Sequence, residues 1–128
     1  MSRRLISTGS PFEKVAGYSR AVIDGEFAFV SGTTGYDYST MTMPESVTAQ
    51  TRNCFKTIAD ALKEGGFELA DIVRVTTFIT DRADADAVMK VCGDHLGDIR
   101  PASTLLVVAA LLKSEMKVEI EVTAKRRT

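Results

Sequence analysis

Few residues in this 128-residue chain could do chemistry unaided. It has one histidine, His95, so no pair of imidazoles can act as acid and base. Cys54 and Cys92 fall on the apolar stripes of two expected helices, where buried thiols are expected rather than a disulfide. With one histidine and two separated cysteines, a zinc site lacks ligands, and neither metal nor cofactor is expected. Single carboxylates, hydroxyls and a glycine turn remain. Glu119 alternates with apolar residues on a strand. If solvated it is a surface or ion-paired carboxylate. In a partly apolar cleft desolvation raises its pKa, and it can take a proton from water. Tyr18 suits a cleft wall or a core edge equally. Ser31-Gly32 ends an apolar run. Glycine lets a ligand approach the backbone, and the amides that follow, Thr33 included, can hold a polar atom. Arg100 precedes Pro101, which biases it to extended backbone. It either pairs at the surface with Asp94 or Asp98 or carries its charge into a cleft. Tyr36, Tyr38, Met41 and Met43 shape a pocket or cover a helix end.

The elements that position these groups can be read from periodicity. Arg4 to Thr8 is a candidate strand. Ser19–Ile23 and Glu26–Ser31 flank Asp24-Gly25, a strong signal for a two-residue hairpin. Gly32 to Met43 reads as a loop. Ser46 to Glu64 follows a helical period, with Val47, Thr51, Cys54, Phe55, Ile58, Ala61 and Leu62 on one face and Gly65-Gly66 as the stop. Ile72 to Thr80 is rich in β-branched residues and reads as a strand. Asp81 caps a second helix whose stripe is Ala85, Val88, Cys92 and Leu96, ended by Gly97. Thr104–Leu111 and Met116–Ala124 are the last strands. This order predicts an α+β domain spanning residues 1–128: a six-stranded mixed sheet with two helices on one face. Met116 to Ala124 alternates apolar and polar, but Leu105–Leu112 is apolar throughout. Two helices cover one sheet face, so a second copy of the chain is the simplest cover for the other.

Composition narrows the partners. A formal net charge of −1 gives no field for nucleic acid or an anionic membrane, and Lys125, Arg126 and Arg127 are expected to form a solvated tail. The longest apolar run, Leu105–Leu112, is far short of the ~20 residues a spanning helix needs. Residues 1–11 lack the apolar segment of a signal peptide. A cytoplasmic protein with no nucleic-acid or membrane partner is expected.

Five segments follow one another on matching elements: Phe29-Val30-Ser31-Gly32, Gln50-Thr51-Arg52, the run from Asp71 to Asp81, Arg100-Pro101-Ala102, and Val118-Glu119-Ile120-Glu121. From about Tyr18 to Arg126 the chain resembles the RidA (YjgF) family. The resemblance implies a chorismate-mutase-like fold and a homotrimer with small-molecule clefts between subunits. It implies hydrolysis of a reactive imine or enamine to a ketone and ammonia. Carried over by position, Glu119 orients the attacking water, Tyr18 lines the cleft, and Ser31, Gly32 and Thr33 form its binding turn. The position of the arginine that binds a substrate carboxylate is Ser103, and Met89 stands where asparagine is common. Arg100 is the one nearby cation that could stand in. The departures predict a substrate that is not a 2-imino acid. The alternative is a trimer that binds a small ligand or regulates without turnover; an endoribonuclease has little support in this sequence.

Overall fold

The alternating and β-branched runs pair into one mixed sheet in a computed structural model that describes residues 3–127. The elements are β1 (Arg4–Ile6), α1 (Pro11–Ala16), β2 (Ala21–Asp24), β3 (Phe27–Thr34), α2 (Val47–Glu64), β4 (Ile72–Ile79), α3 (Ala85–Leu96), β5 (Ala102–Val107) and β6 (Val118–Lys125). The strand order is β1-β2-β3-β6-β4-β5, and only the β4–β5 pair is parallel. The expected α+β class and six-stranded mixed sheet are present.

The β2–β3 hairpin turns one residue later than expected. Asp24 pairs with Phe27, so Gly25 and Glu26 make the turn. Gly25 has φ +60° and no other residue of the turn is left-handed, as suits a type II′ turn with glycine first. In α2, Ser46 caps the N-terminus by accepting from Ala49 N at 3.1 Å. Its buried face carries Thr51, Cys54, Phe55, Ile58, Ala61 and Leu62, as the periodicity predicts, and Gln50 besides. Asp81 caps a short 3₁₀ turn, Arg82–Asp84, before α3 begins. Phe55, Ile58 and Leu62 join Val30, Ile120 and Val122 in one hydrophobic cluster with Val88, Val91 and Leu96.

Three further expectations are corrected. A helix, α1, forms where none is expected. Ser10 caps it, Pro11 opens it and Gly17 closes it in the left-handed region at φ +76°, a start-and-stop pattern that is legible in the sequence. β5 is shorter and earlier than Thr104–Leu111. Its partner β4 ends at Ile79, and after the Val108 N–H bond to Ile79 O the chain has no strand to follow. The basic C-terminus is held against the fold. Arg126 stacks on Phe67, 4.0 Å from the ring centroid, and Arg127 bonds Asp71 and Glu68.

Candidate functional site

β6 presents Val118, Ile120 and Val122 to the core, so Glu119 points away from it. On β3 the register with β6 slips between Val30 and Thr33, leaving Ser31 and Gly32 without partner residues on β6. This bulge is a device that re-aims a strand next to a site. It brings Gly32 under the Glu119 carboxylate. A Cβ built on Gly32 would lie 2.9 Å from Cδ of Glu119 and closer still to Oε2. Only glycine leaves room for the carboxylate there.

Glu119, Gly32 and Tyr18 line one cavity of about 290 Å³ with Thr34 and Tyr38. Its apolar walls are Phe12, Val15 and Ala16 from α1, and Leu112 and Met116 from the segment between β5 and β6. A larger groove of about 430 Å³ runs between the Tyr36–Ser39 loop and α2, but it contains neither Glu119 nor Tyr18. The smaller cavity is the one that brings Glu119, Gly32 and Tyr18 together.

Among the described residues no donor is hydrogen-bonded to the Glu119 carboxylate. Its burial pushes its pKa above the ordinary carboxylate range. Arg20 pulls it back, and the like charge of Glu121 adds to the rise. An apolar, half-buried carboxylate without bound donors is a base in waiting: it gains most by taking a proton. Burial also raises the Tyr18 phenol, with Arg20 opposing, so Tyr18 is a neutral donor in the cavity wall.

Ser31 and Thr33 are brought to the turn, but their hydroxyls are engaged within it. Ser31 donates to Ser19 O at 2.6 Å, and Thr33 donates to Ser31 O at 2.8 Å. The Ser31 N–H donates to Arg20 O. Of the turn, Gly32 is the part that lines the cavity. Ser103 lies on exposed β5 opposite Val75, and Met89 is 52% exposed on α3. Neither lines the Glu119 cavity of its own chain. Arg100 departs from the extended backbone and the surface ion pair expected of it. It is left-handed at φ +58°, not extended, because its N–H closes the end of α3 on Leu96 O at 2.9 Å. It is exposed and forms no ion pair among the described residues; Asp94 pairs with Lys90 instead. His95 is half-buried. It stacks on Phe55 at 4.4 Å, and its Nδ1 lies 2.9 Å from Val91 O.

Tyr36 is a core residue, bonded through its hydroxyl to Glu115 at 2.5 Å; burial and that carboxylate push its pKa up to about 12. Tyr38 lines the cavity, and its hydroxyl accepts from Thr34 N. The charged residue beside the site that sequence reasoning missed is Arg20. It is completely buried behind Tyr18 and Tyr38. Its signal was a charge beside Ala21-Val22-Ile23, at the head of a buried strand.

Comparison with known proteins places this geometry. The sequence model described as Endoribonuclease L-PSP matches residues 8–126. The crystal structure of Rv2704 from Mycobacterium tuberculosis, a member of the highly conserved YjgF/YER057c/UK114 family, superposes with a TM-score of 0.90 at 38% identity, covering 98% of this chain and 100% of that one. RidA from an Antarctic Psychrobacter superposes with a TM-score of 0.86 at 31% identity, over 95% of this chain and 98% of that one. The 2-iminobutanoate/2-iminopropanoate deaminase of Capra hircus is 32% identical over 123 residues, which are 95% of this chain and 89% of that protein. The chain belongs to the RidA (YjgF) family, whose sequence model carries the description Endoribonuclease L-PSP.

Proposed function

We propose that the chain is a RidA-type hydrolase acting on a reactive imine or enamine, or a related electrophile, that carries no carboxylate beside the reacting carbon. The observation that carries this reading is the Glu119 carboxylate. It is desolvated, lies over Gly32 and faces a largely apolar cavity beside Tyr18. Water attacks the imine carbon while Glu119 takes its proton. The C=N electron pair moves to nitrogen, which receives the proton from Glu119; Glu119 then carries the hydroxyl proton of the carbinolamine to its nitrogen as the C–N bond breaks, releasing ammonia and a ketone or aldehyde.

Ser103 supports the substrate limit. A serine hydroxyl cannot give a carboxylate the paired charge-assisted bonds of a guanidinium. Losing even one such bond, about 1.5–3 kcal/mol, lowers kcat/KM by about tenfold to a hundredfold. Ammonia release is therefore expected to be slow from 2-iminobutanoate and faster from imines without the carboxylate. Ser103→Arg should raise activity on the 2-imino acid. Fast wild-type turnover of 2-iminobutanoate would overturn the substrate limit. Tight retention of a ligand with no turnover of any imine would favour the non-catalytic reading.

The site is proposed to be completed by a neighbouring copy of the chain in a homotrimer. Ser103 and Met89 are exposed and lie apart from the Glu119 cavity of their own chain. The chain also leaves large apolar side chains uncovered: Leu106 at 43%, Val107 at 45% and Phe29 at 46% exposed. Monomers rarely leave such surface open. Light scattering at micromolar concentration is expected to return a trimer; a stable monomer would remove the intersubunit cleft.

A further inference from the structure

Arg20 is charged and 0% exposed. A buried guanidinium costs several kcal/mol unless its N–H groups are matched, and here they are not. Nη1 donates to Gly32 O at 2.8 Å and to Thr33 Oγ1 at 3.2 Å, but Nε and Nη2 have no hydrogen-bond partner. Glu13 of α1 comes no closer than 4.0 Å to Nε. The guanidinium carbon stands 4.7 Å from the centroid of Tyr38 and 5.7 Å from that of Tyr18, two rings that line the Glu119 cavity. Packing alone gives no reason for the charge, since an apolar residue of similar volume there is often neutral or stabilising.

Arg20 and Glu119 meet at one residue, Gly32. Arg20 holds its carbonyl, and Glu119 occupies the space where its Cβ would be. We propose that Arg20 is a positioning residue of the cleft, supplying the counter-charge to Glu119 and fixing the Gly32 turn against which that carboxylate rests. Of the groups that face Glu119, Glu121 on its own strand repels it. The Cys54 thiol of α2 stays protonated because burial and the Glu119 charge push it up, and burial raises the Tyr18 phenol, which stays neutral. Glu13 competes for Arg20 from α1. Arg20 is the only cation among these groups. Without it, burial and Glu121 act on Glu119 unopposed, and the carboxylate holds its proton to higher pH.

The inference rests on Glu119 being the base of the cleft, and it is tested without turnover. The Glu119 carboxyl carbon is followed by NMR as a function of pH in the full chain labelled with ¹³C-glutamate, its signal assigned by its absence in Glu119→Gln. In Arg20→Gln the midpoint is expected to rise by about one pH unit or more, whereas Arg20→Lys should stay near wild type. An unmoved midpoint in folded Arg20→Gln would overturn the proposal, as would an equal rise in Arg20→Lys. If Arg20→Gln does not fold, the double variant Arg20→Gln/Glu119→Gln decides. Recovery of the fold supports a charge pair, and persistent misfolding shows that Arg20 serves the fold alone. A failure in the titration leaves the role of Glu119 as base to be judged by its own kinetics.

Discussion

Glu119→Gln is expected to lower turnover of any accepted imine by about 10²–10⁴-fold, the usual contribution of a general base. Glutamine keeps the size and cannot take the proton. Ligand affinity should change far less, because the loss falls on the transition state. The wild-type rate should rise with pH as Glu119 ionises, through a midpoint above the ordinary carboxylate range, because burial raises that group. Stability should run the other way. Between the ordinary range and its raised native value, the folded protein holds a proton that the unfolded chain has released, so stability falls as pH rises through that window. Glu119→Gln removes this loss, and its Tm at neutral pH should equal or exceed that of wild type. Equal turnover in the two proteins would take Glu119 out of the mechanism. A variant that unfolds would make it a structural carboxylate.

Gly32→Ala should disable the same site from the other side. The backbone of Gly32 is not left-handed, so alanine brings no conformational strain. Its Cβ would lie 2.9 Å from Cδ of Glu119 and closer to Oε2, so the carboxylate must move. A displacement of about 1 Å can cost about 10²-fold in rate, and a loss of that order is expected with little change in Tm. Adding Gly32→Ala to Glu119→Gln should then cost little more, since both act through one carboxylate. Additive losses would mean that Gly32 serves the reaction in another way, for instance by admitting the ligand to the backbone.

Periodicity carried most of the fold. The stripe of α2 and the alternation of Met116–Ala124 each state which face is buried, because side-chain direction follows backbone period directly. The same alternation set Glu119 on the face away from the core. Ser10, Pro11 and Gly17 spelled a helix as plainly, but six residues are too few for a periodic stripe. Turn register and strand ends were less legible. Asp24-Gly25 permits a turn at either of two positions, and pairing with β1 and β6 decides between them. β5 stops because β4 stops, which the run Leu105–Leu112 cannot know. Arg100 shows a local bias overridden, since the open end of α3 needs an N–H more than Pro101 needs an extended neighbour.

The sequence by itself determined the sheet, its two main helices, an uncovered apolar surface and a carboxylate and tyrosine of the right kinds. Only the tertiary structure decided that Tyr18, Gly32 and Glu119, more than a hundred residues apart at the extremes, share one cavity. It also decided that Arg20, a surface residue by type, is sealed behind them with two nitrogens unmatched. Burial of a charge depends on what the rest of the chain lays over it. Here that cover includes α1 and the loop that carries Tyr38, and no spacing within β2 encodes either.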